Sequence, residues 1–193
     1  MRTQDRLLDQ DDRALADFAE IADWSLLAGP DDDESGPAVV RALVNRVMTH
    51  TTWKPWPLEP GEVIDDEMVS WGFTTPRGTT MIVFAGLAFS DCPDSGWSAY
   101  EIGPDDLAAA EAGLDAHWPD HVALVTRHFG VPDYVGDDSI DGFDDEWEPG
   151  AGAGRRHLAV WMRPGAQLRL YSTKPTKDPL TTAVGVNYAV YID

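Results

Sequence analysis

The chain has 193 residues, with 34 Asp and Glu against 14 Lys and Arg, for a formal net charge of −20. That length suits one domain able to bury a sizeable core, and an apolar fraction of 43% with eight Trp argues against disorder despite the charge. The acidity argues against a free-standing binder of nucleic acid or of anionic membranes, because both tasks need clustered cations.

Residues 6–27 read as an amphipathic helix. Leu8, Leu15, Phe18, Ala19 and Ala22 share one face, and Asp5, Asp9, Asp12, Glu20 and Asp23 fall in the opposite sector. Asp11 would point into the apolar face, which places the start of the regular helix there, with Asp9 or Asp11 as its N-cap. The stretch GPDDDESGP at 29–37 is an acidic loop between Gly-Pro pairs. A second helix follows Pro37, a residue suited to a first helical turn, with Val40, Leu43, Val44, Val47 and Met48 as its core stripe. It ends near Thr51, before the rigid segment Trp53-Lys-Pro-Trp-Pro.

Residues 68–75 and 79–90 predict an antiparallel pair, the second member a near-continuous apolar run fit for a central strand. Trp97–Ile102 predicts a further short strand. Residues 105–116 and 119–129 predict two helices, separated at Pro119 and closed by Gly130 and Pro132. After an acidic loop, RRHLAVWMR and AQLRLYSTK form a hairpin about Pro164-Gly165, and TTAVGVNYAVYI is a last strand. The expected architecture is α+β: a mainly antiparallel sheet of about five to six strands, two N-terminal helices and a central helix pair. The expected organisation is a single domain over 1–193, with 1–52 as a helical pair packed on it. The N-terminus lacks the apolar run of a secretory signal, and no stretch approaches the roughly 18 residues of a membrane helix, so a cytoplasmic location is expected.

Charge is unevenly spread. Residues 131–148 carry eight acids and no base, whereas 149–193 carry two acids and six bases. The first of these contains DDSIDGFDDEWE, which resembles the calcium loop of EF-hand proteins over those twelve residues. Asp137, Ser139, Asp141, the Phe143 carbonyl, Asp145 and Glu148 would be its ligands, with Gly142 at the sharp turn. Asp144 at a normally apolar position, and Pro132 and Pro149 where helices should flank, depart from that pattern. A calcium- or carbohydrate-binding module using this loop is therefore an alternative, not the main reading.

Other constellations are sparser. His117 and His121 stand four apart, the spacing that puts two imidazoles on one helical face, and His128 follows, but no Glu succeeds His117 as a zinc hydrolase helix would need. Cys92 is the only cysteine and has acidic neighbours that oppose thiolate formation. The Gly150–Arg156 stretch lacks the strand before and helix after that a phosphate cradle requires. No catalytic residue can be nominated. An enzyme with a scattered site stays a further alternative.

Trp24, Trp71, Trp118 and Trp161 lie in apolar patterns and are expected in the core, while Trp53, Trp56 and Trp147 lie in Pro- or acid-rich loops and are expected at the surface. Exposed Trp beside carboxylates suits an interface receiving a basic protein: the ring anchors, the acids steer and pair. The candidate contact residues are Asp31, Asp32, Asp33, Glu34, Trp53, Trp56, Asp144, Asp145, Glu146 and Trp147. In size, acidity and α+β layout, and in the segments HVALVTRHFGVPDYV and RRHLAVWMRPGAQLRLYS, the chain resembles immunity proteins of bacterial polymorphic-toxin systems. That resemblance implies a non-enzymatic inhibitor, without a cofactor, that covers a basic site on a toxin; it transfers no functional residue.

Overall fold

The computed structural model describes residues 1–5, 8–28, 37–55, 70–77, 80–84, 88–91, 97–144, 146–147, 154–174 and 184–192. The strands among them are β1 (Arg2–Asp5), β2 (Lys54–Pro55), β3 (Ser70–Thr74), β4 (Thr80–Phe84), β5 (Ala88–Asp91), β6 (Trp97–Tyr100), β7 (Tyr134–Asp137), β8 (Arg155–Arg163), β9 (Ala166–Thr173) and β10 (Val184–Ile192). The helices are α1 (Leu8–Ala19), α2 (Pro37–His50) and α3 (Leu107–Phe129), with short 3-10 turns at Trp24–Leu27 and Pro104–Asp106. The fold is α+β with a mainly antiparallel sheet. Among the described residues no helix is long and apolar enough to cross a membrane.

The chain divides into two compact units. One comprises Met1–Asp12, Pro93–Trp161 and Arg169–Tyr188; the other comprises Arg13–Cys92, Met162–Leu168 and Ala189–Asp193. In the first unit the strands run in the order β1-β6-β10-β9-β8-β7, and α3 supplies the helix. Leu114, Leu124, Leu158, Trp161 and Leu170 are among its fully buried residues. In the second unit β2, β3, β4, β5 and the end of β10 are successive neighbours, with α2 and most of α1. Its core is aromatic: the Phe18 ring lies 5.8 Å from Trp24 and 6.0 Å from Trp53, and Trp53 lies 6.4 Å from Phe73.

Several expectations need correction. The two central helices are one, α3, which runs straight through Pro119. Proline costs about 3 kcal/mol in a helix interior, but Ala110, Leu114, Trp118, His121, Leu124, Val125 and Phe129 form one buried stripe along both halves. Burying each large apolar side chain contributes roughly 1.5–3 kcal/mol, so the stripe outweighs the break. The apolar run at 79–90 is not one strand. Val83 pairs with Phe89 and Phe84 with Ala88, so it forms two strands, β4 and β5, that are antiparallel partners.

The first helix ends at Ala19, short of residue 27, and Asp23 starts a separate 3-10 turn by accepting from the Ser25 amide at 3.0 Å. Met48, expected in a core stripe, is half exposed, whereas Val47 is fully buried. Strands β1, β2 and β7 are too short for periodicity to reveal.

Candidate functional site

In the second unit, the end of α1, the 3-10 turn and the end of α2 enclose a cleft of about 530 Å³. Its lining includes Asp17, Glu20, Asp23, Leu26, Thr49, His50 and Trp53. Each element is held there by its own local bonds. The Ile21 amide donates to the Phe18 carbonyl at 3.1 Å, closing α1. Asp23 also accepts from the Ser25 hydroxyl at 2.6 Å, fixing the 3-10 turn. Thr51 donates through its amide and its hydroxyl to the Val47 carbonyl, at 2.9 and 2.7 Å, ending α2. The Trp24 amide donates to the Pro164 carbonyl at 2.9 Å, so the β8–β9 hairpin tip props the 3-10 turn from behind.

Two helix C-termini therefore meet at the cleft, each carrying about half a negative charge. Three carboxylates add to that field. Asp17 is buried, and its carboxylate accepts from both the Arg77 amide, at 3.1 Å, and the Arg77 guanidinium. The same guanidinium donates to Glu20. The hydrogen bonds that Arg77 donates to Glu20 and then Asp17 push its pKa above the ordinary value, so its charge is permanent. Asp17, Glu20 and Asp23 against Arg77 leave a surplus of negative charge, and Leu26 offers exposed apolar surface beside it.

A second acidic region lies in the first unit, after β7. Asp137 accepts from the Ser139 amide at 2.9 Å, and hydrogen bonding by Ser139 holds its carboxyl below the usual range. Gly142 takes φ 69°, in the left-handed region, at the sharp turn expected there. The Tyr134 hydroxyl donates to the Phe143 carbonyl, and the Tyr134 ring packs 5.5 Å from Trp147. Burial, then the charges of Asp144, Glu146 and Asp137, raise the Tyr134 pKa and keep that donor protonated. The Phe143 carbonyl, expected as a calcium ligand, thus accepts a hydrogen bond, and among the described residues no group of three or more ligating side chains converges. Asp145 and Glu148 lie outside the described residues, as do Asp31, Asp32, Asp33, Glu34, Trp56 and Cys92.

Of the remaining candidates, Trp53 is not exposed as expected: it is 4% exposed, inside the aromatic cluster, with its amide bonded to Thr51 Oγ1 at 3.1 Å. Asp144 and Trp147 are half-buried, and Glu146 is exposed. Trp24, Trp118 and Trp161 are buried, and the side chain of Trp71 lies outside the described residues. The histidines do not assemble. His117 stacks on Trp97 at 5.2 Å, and His128 Nε2 lies 2.8 Å from Asp12 Oδ1. His121 is fully buried, its Nδ1 2.5 Å from the Tyr188 hydroxyl, which donates to Asp11 at 3.2 Å.

One constellation escaped sequence reading. Ser172 Oγ lies 2.8 Å from His157 Nδ1, and His157 Nε2 lies 3.1 Å from Asp115 Oδ1. These residues come from β9, β8 and α3, so no spacing along the chain announces them. The order resembles a nucleophile relay, but Ser172 is completely buried, and no substrate carbonyl reaches a hydroxyl so placed. The group clamps α3 to the sheet instead. Arg156 closes it with a bidentate pair to Asp115, both bonds 2.7 Å, and Trp118 stacks on His157 at 4.8 Å.

Comparison with protein-family models, with curated proteins and with solved structures gives no match.

Proposed function

We propose that the chain is a non-enzymatic interaction module whose cleft, lined by Glu20, Asp23, Leu26 and His50, receives a cationic side chain from a partner protein. The observation that carries this reading is Arg77. Its guanidinium sits on Asp17 and Glu20 with a carboxylate for each side of the fork, which is the recognition a partner Arg would use. Asp23 and the two helix ends hold negative potential beyond what Arg77 neutralises. Leu26 offers apolar surface for the stem of an incoming side chain. The overall charge of −20 adds long-range steering toward a basic surface. The narrower form of this reading is an inhibitor that covers the cationic site of a toxin-like protein, and the clustered acid is what supports it.

The test is amide-shift mapping with N-acetyl-arginine amide, a probe too small to bind as a strand. Shifts are expected at Glu20–Asp23 and Thr49–Thr52, with a dissociation constant on the order of millimolar for a ligand of this size. Asp23→Asn keeps an N-capping side chain while removing the charge, so it should weaken binding about threefold or more without lowering the melting temperature. Absence of shifts at these residues at tens of millimolar probe would reject the cleft as the docking point.

A further inference from the structure

The edge of the sheet in the first unit carries an inference independent of the cleft. β7 ends the strand order, hydrogen-bonded to β8. Its register pairs Tyr134 with Val160 and Gly136 with Leu158, and the Asp138 amide donates to the Arg156 carbonyl at 2.9 Å. In an antiparallel ladder bonded pairs alternate, so Tyr134, Gly136 and Asp138 direct their backbone groups at β8 while Val135 and Asp137 direct theirs away. The Asp137 carbonyl accepts from the Ile140 amide at 3.1 Å. The outward N–H and C=O of Val135 have no strand beside them among the described residues.

Apolar surface gathers at the same edge. Val131 is 83% exposed, Val135 54% and Ile140 58%. The run 131–148 around them has eight acids and no base, and of these Asp133, Asp141 and Glu146 are exposed. An open edge is an invitation to pair, and here the surrounding charge selects the partner. A second copy of this chain would set two such acidic runs face to face, which like-charge repulsion opposes. A cationic strand would instead place Lys or Arg opposite Asp141 and Glu146.

We propose that β7 accepts an extended, Lys/Arg-bearing segment of a partner protein as an added strand, bonded through the Val135 N–H and C=O. Apolar side chains on the incoming strand would cover Val135 and Ile140, and its cations would pair with the flanking acids.

The probe is a blocked octapeptide of alternating Lys and Val, titrated at low salt into the isotope-labelled full chain. The largest amide shifts should centre on Val135 and its neighbours. Val135→Pro removes the outward N–H but no bond to β8, and should weaken binding by about tenfold, the equivalent of one hydrogen-bond pair. Val135→Ala keeps that N–H and should change affinity by less than about threefold. Asp141→Asn with Glu146→Gln should weaken binding and flatten its salt dependence, and a Glu–Val octapeptide should not bind. Equal affinity in a folded Val135→Pro, binding of the Glu–Val peptide, or no binding by about millimolar peptide would overturn the proposal. Should that variant not fold by circular dichroism, the wild-type shift map decides. Shifts centred on Glu20–Asp23 would overturn the edge while leaving the cleft reading intact.

Discussion

Tyr188 spans two buried polar groups with one hydroxyl: it donates to Asp11 and sits against His121 Nδ1, and all three residues are nearly inaccessible. Asp11 lies inside α1, which begins at Leu8, and not at the helix start where the sequence placed it. Read along the chain, a carboxylate in an apolar helical face marks a helix start, because burying it alone is costly. Here β10 and α3 bring it a phenol and an imidazole, so the helix runs on past it. Tyr188→Phe keeps the ring and removes the hydroxyl that both groups contact. It should destabilise the fold by about 1–3 kcal/mol, measurable as a lower urea midpoint with an unchanged slope. A midpoint within error of wild type would mean that the hydroxyl contributes nothing net.

At the scale of elements, the β8–β9 hairpin tip and the 3-10 turn depend on each other. Gly165 has φ 72°, and a Cβ there would lie 2.2 Å from the Ser25 amide nitrogen. The left-handed conformation alone costs a non-glycine residue roughly 1–2 kcal/mol, and the approach to backbone atoms adds to it. Gly165→Ala should therefore lower stability by more than about 2 kcal/mol. Because the 3-10 turn lines the cleft, it should also shift the amides of Trp24–Leu27. Gly154→Ala, where a Cβ meets nothing within 4 Å and φ is not in the left-handed range, is the matched control and should be near neutral.

Across the whole molecule, pH acts through opposing terms. Burial pushes His157 below its ordinary value of 6.5, so the folded state disfavours the imidazolium. Its contribution to stability is complete above 6.5 and declines as pH falls through that value toward the lower folded pKa. Asp115, held low by the hydrogen bond from Arg156, and Asp137, held low by Ser139, contribute stability above 3.8 that is lost as pH falls through their lower folded values. Against these, protonating carboxylates relieves the self-repulsion of a chain at −20. That repulsion is screened by salt, whereas half-buried His157 is screened less. In about 0.5 M salt, urea midpoints should therefore fall between pH 7.5 and 5.5, and His157→Asn should remove most of that dependence. A midpoint that rises over this interval in high salt would contradict the assignment.

Sequence by itself determined the class of the fold, and the reasons are local. A period of 3.6 with Pro37 at its start gave α2 its beginning, the Pro164-Gly165 pair set the β8–β9 turn, and segments rich in apolar and aromatic residues specified β8 to β10. It also located the acid-rich run at 131–148 and the sharp turn at Gly142. Only the tertiary structure decided what depends on partners distant in the chain. It carried α3 through Pro119 on one buried stripe, buried Trp53 among Phe18, Trp24 and Phe73, and gave Asp11 its phenol. It also gathered Asp17, Glu20 and Asp23 with the ends of two helices into one cleft. Local propensities amount to a few tenths of a kcal/mol per residue, while the burial of one large side chain amounts to several times that. Where the two disagree, packing prevails, and packing is not written in any short stretch of the chain.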